Sequence, residues 1–344
     1  MEQVSSSGSE RSKRKRGIIV MLVLGALIAL TFLISMNMGY TRLSPLDVLH
    51  TLLGGGTAKQ HLILFEFRLP RIVISLLIGA GLAVSGCVMQ GISRNALADP
   101  GILGINAGAG LMVILYIAFF PVASAASVFL LPLLAMLGAG LTATLIFSLS
   151  YERHRGLSST RLLLTGIAVA AGISAAMIVL ALRLSPEHYR FAATWLAGSI
   201  WGANWKFVLA LLPWIAVLLP VVFYKARVLN VLNLGEETAI GLGAPVSREQ
   251  AKLLAAAVGL AASCVAVSGG IGFVGLIVPH LARRLVGPNH VRLLPVSALV
   301  GALLVIAADT LGRWILQPSE IPTGIVVAVL GAPYFLYLLS RSRA

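Results

Sequence analysis

A chain of 344 residues that is 58% hydrophobic and 11% charged, with a mean hydropathy of +0.95, is not an ordinary water-soluble domain, since such domains carry roughly a quarter of their residues as charges. The solvent for most of its surface is lipid. The formal net charge of +14 would point to nucleic acid in a soluble protein, but here the basic residues sit between apolar runs, as membrane topology signals do.

The first element is a basic tail over residues 1–16, carrying Arg11, Lys13, Arg14, Lys15 and Arg16, ahead of an apolar run that reaches Met36. This run is long and no small-residue cleavage site follows it, so it reads as a retained first span rather than a signal peptide. Apolar runs predict ten helices, near 17–36, 68–89, 102–120, 128–149, 161–182, 207–224, 252–268, 272–286, 294–312 and 323–340. The longer runs match the roughly 20 residues that cross about 30 Å of hydrocarbon. The seventh and eighth are short, are separated by Gly269 and Gly270, and are also compatible with one bent element. No period of two suggests an outer-membrane barrel. Residues 190–206, with Trp195, Trp201 and Trp205, read as an outer interfacial segment. Residues 228–247 read as a polar cytoplasmic stretch with a helical pattern.

Ten spans with a cytoplasmic N-terminus put 18 of the 26 Lys and Arg residues on the inner side. The positive-inside rule therefore favours both termini in the cytoplasm, with residues 17–344 forming one transmembrane domain. The 35 glycines are spread through the spans, which predicts close helix approach. Val84-Ser85-Gly86 recurs as Val267-Ser268-Gly269 in spans that run in opposite directions, as in an inverted internal repeat. Cys87 and Cys264 lie inside apolar runs and read as packing residues, not as a disulfide or a metal site.

Asp309 lies four residues before Arg313 on one helix face, which predicts an ion pair or a polar lining within the membrane. No lysine follows a glycine, so the end of a phosphate-binding loop is missing and ATP hydrolysis by this chain is not expected. No Ser/His/Asp or metal-ligand cluster stands out, and His280 after Pro279 reads as a helix-end hydrogen bonder rather than a ligand. The spans lack the ladder of Asp, Glu and His that would carry protons, which weighs against an ion-coupled secondary carrier.

Several stretches carry a more specific signal. They are Arg68-Leu69-Pro70-Arg71; the run from Gly79 to Gly86 and on to Gln90; Asn95-Ala96-Leu97-Ala98-Asp99-Pro100-Gly101-Ile102-Leu103-Gly104; Leu234-Gly235-Glu236-Glu237, with Ala239 and Gly241-Leu242-Gly243; Gly272 to His280; and Glu320-Ile321-Pro322-Thr323-Gly324 with Gly331-Ala332-Pro333. In this order they closely resemble the FecCD permease family, with Ala96 standing where many members have proline. The resemblance implies an all-α integral membrane fold of about ten helices, like that of the vitamin B12 importer permease, in a bacterial cell membrane. It also implies a second permease subunit, identical or homologous, two cytoplasmic ATPase subunits and an extracytoplasmic binding protein. No cofactor is expected on this chain, ATP being used by the partner ATPase. An iron(III)-siderophore complex is the expected cargo, with cobalamin and haem as alternatives.

The resemblance also assigns roles to residues. Arg68, Arg71 and Arg313 correspond to outer arginines that receive acidic residues of the binding protein, the alternative being snorkelling to lipid phosphate. Leu234, Gly235, Glu236, Glu237, Ala239, Gly241, Leu242 and Gly243 correspond to the segment that seats on the ATPase, two short helices broken by glycine. Ser158, Ser159 and Thr160 correspond to the cytoplasmic gate, the alternative being caps for the helix that follows.

Overall fold

The computed structural model describes residues 2–39, 43–101, 104–120, 127–152, 156–157 and 159–341. Ile102, Leu103 and Ser158 lie outside these. In chain order, α1 (Glu2–Asn37) is followed by α2 (Pro45–Leu52), α3 (Ala58–His61), a π-helical turn (Leu62–Arg68) and α4 (Leu69–Ser93). Next come α5 (Ile105–Phe119), α6 (Ser127–Ser150), a two-residue hairpin of β1 (Tyr151–Glu152) and β2 (Gly156–Leu157), α7 (Ser159–Ala181), α8 (Pro186–Leu196) and α9 (Trp205–Tyr224). The chain ends with α10 (Ala226–Leu232), α11 (Glu236–Gly241), α12 (Val246–Ser268), α13 (Val274–Val286), α14 (His290–Ile315) and α15 (Thr323–Arg341).

All ten predicted helices form, as α1, α4, α5, α6, α7, α9, α12, α13, α14 and α15. Among the described residues, seven helical segments are long and apolar enough to cross a membrane, and α5 and α15 are shorter apolar helices. This is a multi-pass membrane protein. The basic tail is not a separate element, because α1 continues through it without a break.

Two differences from the predicted boundaries, and the separation of the seventh and eighth helices, have local causes. The second span starts near Ala58, not 68. Pro70 has no N–H to donate and crowds the preceding turn; just upstream the helix widens, with Leu69 N–H bonding to Leu64 O, a π arrangement that keeps the helix continuous. The seventh span begins at Val246 rather than 252, because the buried Glu249 in its first turn is paired with Lys225 at 2.5 Å and with Lys252 at 3.4 Å. The eighth is a separate helix, since Gly269 (φ 67°) ends α12 and Phe273 (φ 67°) begins α13, both in the left-handed region. Gly86 lies in mid-helix while Gly269 ends one, so the two copies of the repeated tripeptide hold different conformations.

The centre of the bundle is α4, packed on α14, α12, α13 and α9. Its approach to α14 is set by facing glycines: a Cβ on Gly79 would lie 2.2 Å from Gly301 O, and one on Gly301 2.2 Å from Gly79 O. Gly86 meets Gly275 of α13 in the same way, at 2.0 Å. With lipid outside, such contacts supply the dispersion energy that water would otherwise drive. Polar groups are bonded internally: Ser85 Oγ donates to Ala257 O at 2.6 Å, and Gln90 Nε2 donates to Leu276 O at 3.0 Å. Cys87 and Cys264 are free and fully buried, as packing residues should be.

Gly301→Ala should lower thermal stability in detergent by about 1–3 kcal/mol through overpacking, whereas Gly140→Ala, with no atom within 4 Å of the new methyl, should be neutral or mildly stabilising. Equal effects at the two positions would show that the glycine contact does not set the α4–α14 distance.

Candidate functional site

Asp309, 1% exposed near the end of α14, is the focus of one end of the bundle. Its Oδ1 accepts from Arg71 Nε at 3.0 Å and from Thr323 Oγ1 at 3.2 Å, and Arg313 Nε lies 3.1 Å from its Oδ2. Arg71 also donates to Glu320 Oε2 through Nη1 at 2.8 Å. Two guanidinium groups and two carboxylates thus offset one another's charge, which is what a low-dielectric site requires of buried ions. The predicted Asp309–Arg313 ion pair is therefore present, extended by a second arginine brought from α4.

Arg313 does a second job. Its Nη2 donates to Ser35 Oγ at 2.6 Å and its Nη1 to Met38 O at 3.3 Å, while Arg68 Nη1 donates to Met36 O. The last carbonyls of a helix have no intrahelical partner, so these two arginines satisfy and electrostatically complement the C-terminal end of α1. The three arginines expected to face outward together do cluster at one end, but they are turned inward: Arg68 and Arg313 are buried, and the Arg71 side chain is 12% exposed. For Arg71 and Arg313 the physical reason is Asp309, whose burial demands both neighbours, and for Arg68 it is the carbonyl of Met36 at the end of α1. The exposed part of the cluster is the Arg71–Glu320 pair, at the edge of a cleft of about 460 Å³ that also has Arg190, Thr194, Trp201 and Ser319 in its wall.

Around this end the backbone is knitted tightly. Gly324 N–H bonds to Gly198 O at 2.8 Å and Ile321 N–H to Gly312 O at 3.1 Å. A Cβ on Gly269 would come within 1.9 Å of Trp195 O. The tryptophan segment expected at the interface is accordingly α8 plus a loop, with Trp201 71% exposed and Trp205 Nε1 donating to Phe65 O at 2.8 Å.

At the opposite end, where α1 begins, α10 and α11 are the two short helices expected over 228–247. The break between them is at Gly235 (φ 108°), a backbone conformation suited to glycine. Glu236 and Glu237 occupy the first turn of α11, favourable for carboxylates, and both are exposed. Ala239 is buried and fixes α11 to the bundle, while Leu234, Ile240 and Leu242 project outward at 61%, 58% and 64% exposure. Gly241 and Gly243 leave open space around the end of α11. Arg94, in the left-handed C-cap position of α4, lines the same cleft as Leu234, Glu236 and Glu237.

One connection was not foreseen. Asn230 of α10 donates through Nδ2 to Asn289 Oδ1 at 3.1 Å and accepts from His290 N–H at 2.8 Å, with His290 Nδ1 2.9 Å from the same oxygen. It shares in capping α14, whose N-cap Asn289 also accepts from Val291 N–H at 3.0 Å. The Asn-His start of α14 is a readable cap signal, but nothing in the sequence pairs it with Asn230. The 26 residues of α14 then span about 39 Å at 1.5 Å per residue, linking this clamp to Asp309.

The remaining assignments fare unevenly. Ser158 lies outside the described residues and the side chain of Ser159 is likewise undescribed, while Thr160 is exposed in the first turn of α7. His280 is not a helix-end hydrogen bonder. It sits in the middle of α13, edge-on to Tyr334 with ring centroids 6.3 Å apart, and its Nε2 has no hydrogen-bond partner.

Residues 27–341 match the model of the FecCD transport family. Over 338 residues the chain is 51% identical to the iron(3+)-hydroxamate import system permease protein FhuG of Bacillus subtilis (strain 168), covering 97% of this chain and 100% of that protein. It is 40% identical over 326 residues to the hemin transport system permease protein HmuU of Yersinia pestis, covering 94% and 96% respectively. Among solved structures, a transporter ascribed to the metal-chelate ABC type, in an inward-facing conformation, superposes with a TM-score of 0.82 at 33% identity, over 94% of this chain and 99% of that one.

Replacing Asp309 by alanine leaves Arg71 and Arg313 buried side by side, an uncompensated arrangement that costs on the order of 3–5 kcal/mol. A fall in melting temperature and in membrane yield is expected for Asp309→Ala, measured by thermal unfolding of the purified protein. A wild-type melting curve would mean the cluster is not structural.

Proposed function

This chain belongs to the FecCD transport family, and from that premise we propose that it is the permease subunit of an ATP-driven importer that passes an iron(III)-siderophore complex inward from an extracytoplasmic binding protein. The greater similarity to the iron(3+)-hydroxamate permease than to the hemin permease favours a hydroxamate siderophore over haem. The end where α1 begins is assigned to the cytoplasm, because 18 of the 26 basic residues fall on that side. Residues 17–344 are read as one membrane domain, with the segment over 228–247 as its cytoplasmic coupling element. Two permeases around one pathway and two ATPase subunits make up the working assembly in this reading.

The observation that carries the mechanism is the clamp of α10 onto α14. Leu234, Gly235, Glu236, Glu237, Ala239, Gly241, Leu242 and Gly243 form a knob, anchored by the buried Ala239, whose exposed acidic and apolar groups an ATPase groove can hold. When the ATPase closes on nucleotide, the knob moves as a rigid unit, and Asn230 transmits that displacement to α14. At the other end of α14, the cluster of Asp309, Arg71 and Arg313 transfers it to α4 and to the outer cleft. Binding-protein docking is assigned to this face. An acidic group of the partner replaces Glu320 on Arg71, while Arg68 and Arg313 hold the end of α1 beneath it. Ser158, Ser159 and Thr160 are assigned to the cytoplasmic gate in this reading, Thr160 lying in the first turn of α7.

Proteoliposomes holding this permease, its ATPase and its binding protein test the reading. ATP-dependent uptake of radiolabelled ferric hydroxamate is expected, and uptake of haem or cobalamin instead would reassign the cargo. Changing Glu236 and Glu237 to alanine should abolish co-purification of the ATPase without lowering permease yield. Asn230→Ala should keep the ATPase bound but reduce binding-protein-stimulated hydrolysis at least tenfold, with basal hydrolysis unchanged. Full stimulation in that variant would remove α14 from the transmission path.

A further inference from the structure

The side chains of Arg16 and Arg292 come together against the backbone of Arg284 where α1, α13 and α14 meet at the end of the bundle assigned to the cytoplasm. Arg16 Nη2 donates to Arg284 O at 3.3 Å, and the stem of Arg292 packs on α1 so closely that a Cβ on Gly17 would lie 3.4 Å from its Cδ. Arg292 Nη1 is buried and has no hydrogen-bond partner. Lys13, Arg14 and Lys15 are exposed on the preceding turn of α1.

Nothing acidic compensates this charge nearby in the chain. No Asp or Glu occurs between Glu10 and Asp47, or between Glu249 and Asp309. Glu10, one turn before Arg14, can offset at most one charge, and Glu249 is already held by Lys225 and Lys252. Arg292 also stands in the first turn of α14, where the helix dipole is positive and a carboxylate would be the favoured occupant. The arrangement runs against both local rules, and an anion from outside the chain resolves both.

The surface next to it identifies the source of that anion. Immediately beyond Arg16 and Gly17, α1 exposes Ile18, Ile19 and Leu22 at 46%, 59% and 68%, so the basic collar sits where the lipid-facing surface begins. We propose that Arg16 and Arg292 bind the phosphate of an anionic phospholipid of the inner leaflet, with acyl chains lying along the apolar face of α1 and the exposed Lys13, Arg14, Lys15 and Arg284 adding long-range attraction. Guanidinium forks suit phosphate oxygens, and basic pockets between spanning helices are a recognised way to hold lipid head groups. The leaflet follows from the orientation proposed above; the binding itself does not depend on it.

The test is native mass spectrometry of the full-length permease, without ATPase or binding protein, equilibrated with equal amounts of phosphatidylglycerol and phosphatidylcholine at low salt. Selective retention of phosphatidylglycerol is expected. The double change Arg16→Gln, Arg292→Gln should weaken it about fivefold per charge removed, as should Lys13→Gln with Lys15→Gln, whose exposed positions leave folding untouched. Equal retention of both lipids by the wild type would overturn the proposal, as would an unchanged preference in the lysine variant together with any folded arginine variant. Displacement of the lipid by millimolar inorganic phosphate would show that the site reads a free anion and not a head group. Because no transport is measured, failure here is distinct from failure of the importer reading.

Discussion

A single carboxylate, Asp309, decides how one whole end of this protein is built. Buried in a membrane-spanning helix, it is tolerable only with cations at hydrogen-bond distance, and it recruits one from its own helix and one from α4. Each of those arginines is then bound to something further: Arg71 to Glu320 on the way into α15, and Arg313 to Ser35 and Met38 at the end of α1. Four helices are thereby held in one register by one electrostatic requirement.

The rest of the bundle obeys a different constraint. Lipid offers no hydrophobic drive for one helix to leave it for another, so contact has to come from backbone proximity and internal hydrogen bonds. This explains the chemistry of the recurring motifs. Gly79, Gly86 and Gly301 are the points where α4 meets α14 and α13; Gly198, Gly269 and Gly324 are where the ends of α8, α12 and α15 come into backbone contact. The acid in Ala98-Asp99-Pro100 is likewise buried, with Asp99 Oδ2 accepting from Gly101 N–H at 2.9 Å and its Oδ1 close against Gly275 at the start of α13.

These two constraints combine in α14. Glycine contact lets it lie along α4 for much of its length, the Asp309 cluster anchors one end, and Asn230 grips the other. A helix so held behaves as a rod between opposite faces of the membrane. In the proposed function, this rod joins the coupling segment at one end to the outer cleft at the other.

Residue order alone determined the class of solvent, the ten long or apolar helical runs and the glycine break between α10 and α11, because each is a property of composition or of local spacing. It also placed Asp309 beside Arg313, since four residues on a helix is a local distance. The tertiary structure alone decided that Arg71 joins them, that Arg68 caps α1, that Asn230 holds α14, and that Arg16 reaches Arg284 O while Arg292 packs on Gly17. Those partners lie tens to hundreds of positions apart, and no local pattern encodes which buried charge or orphaned carbonyl a distant side chain will satisfy. Only the packing of the helices brings demand and donor within hydrogen-bond reach.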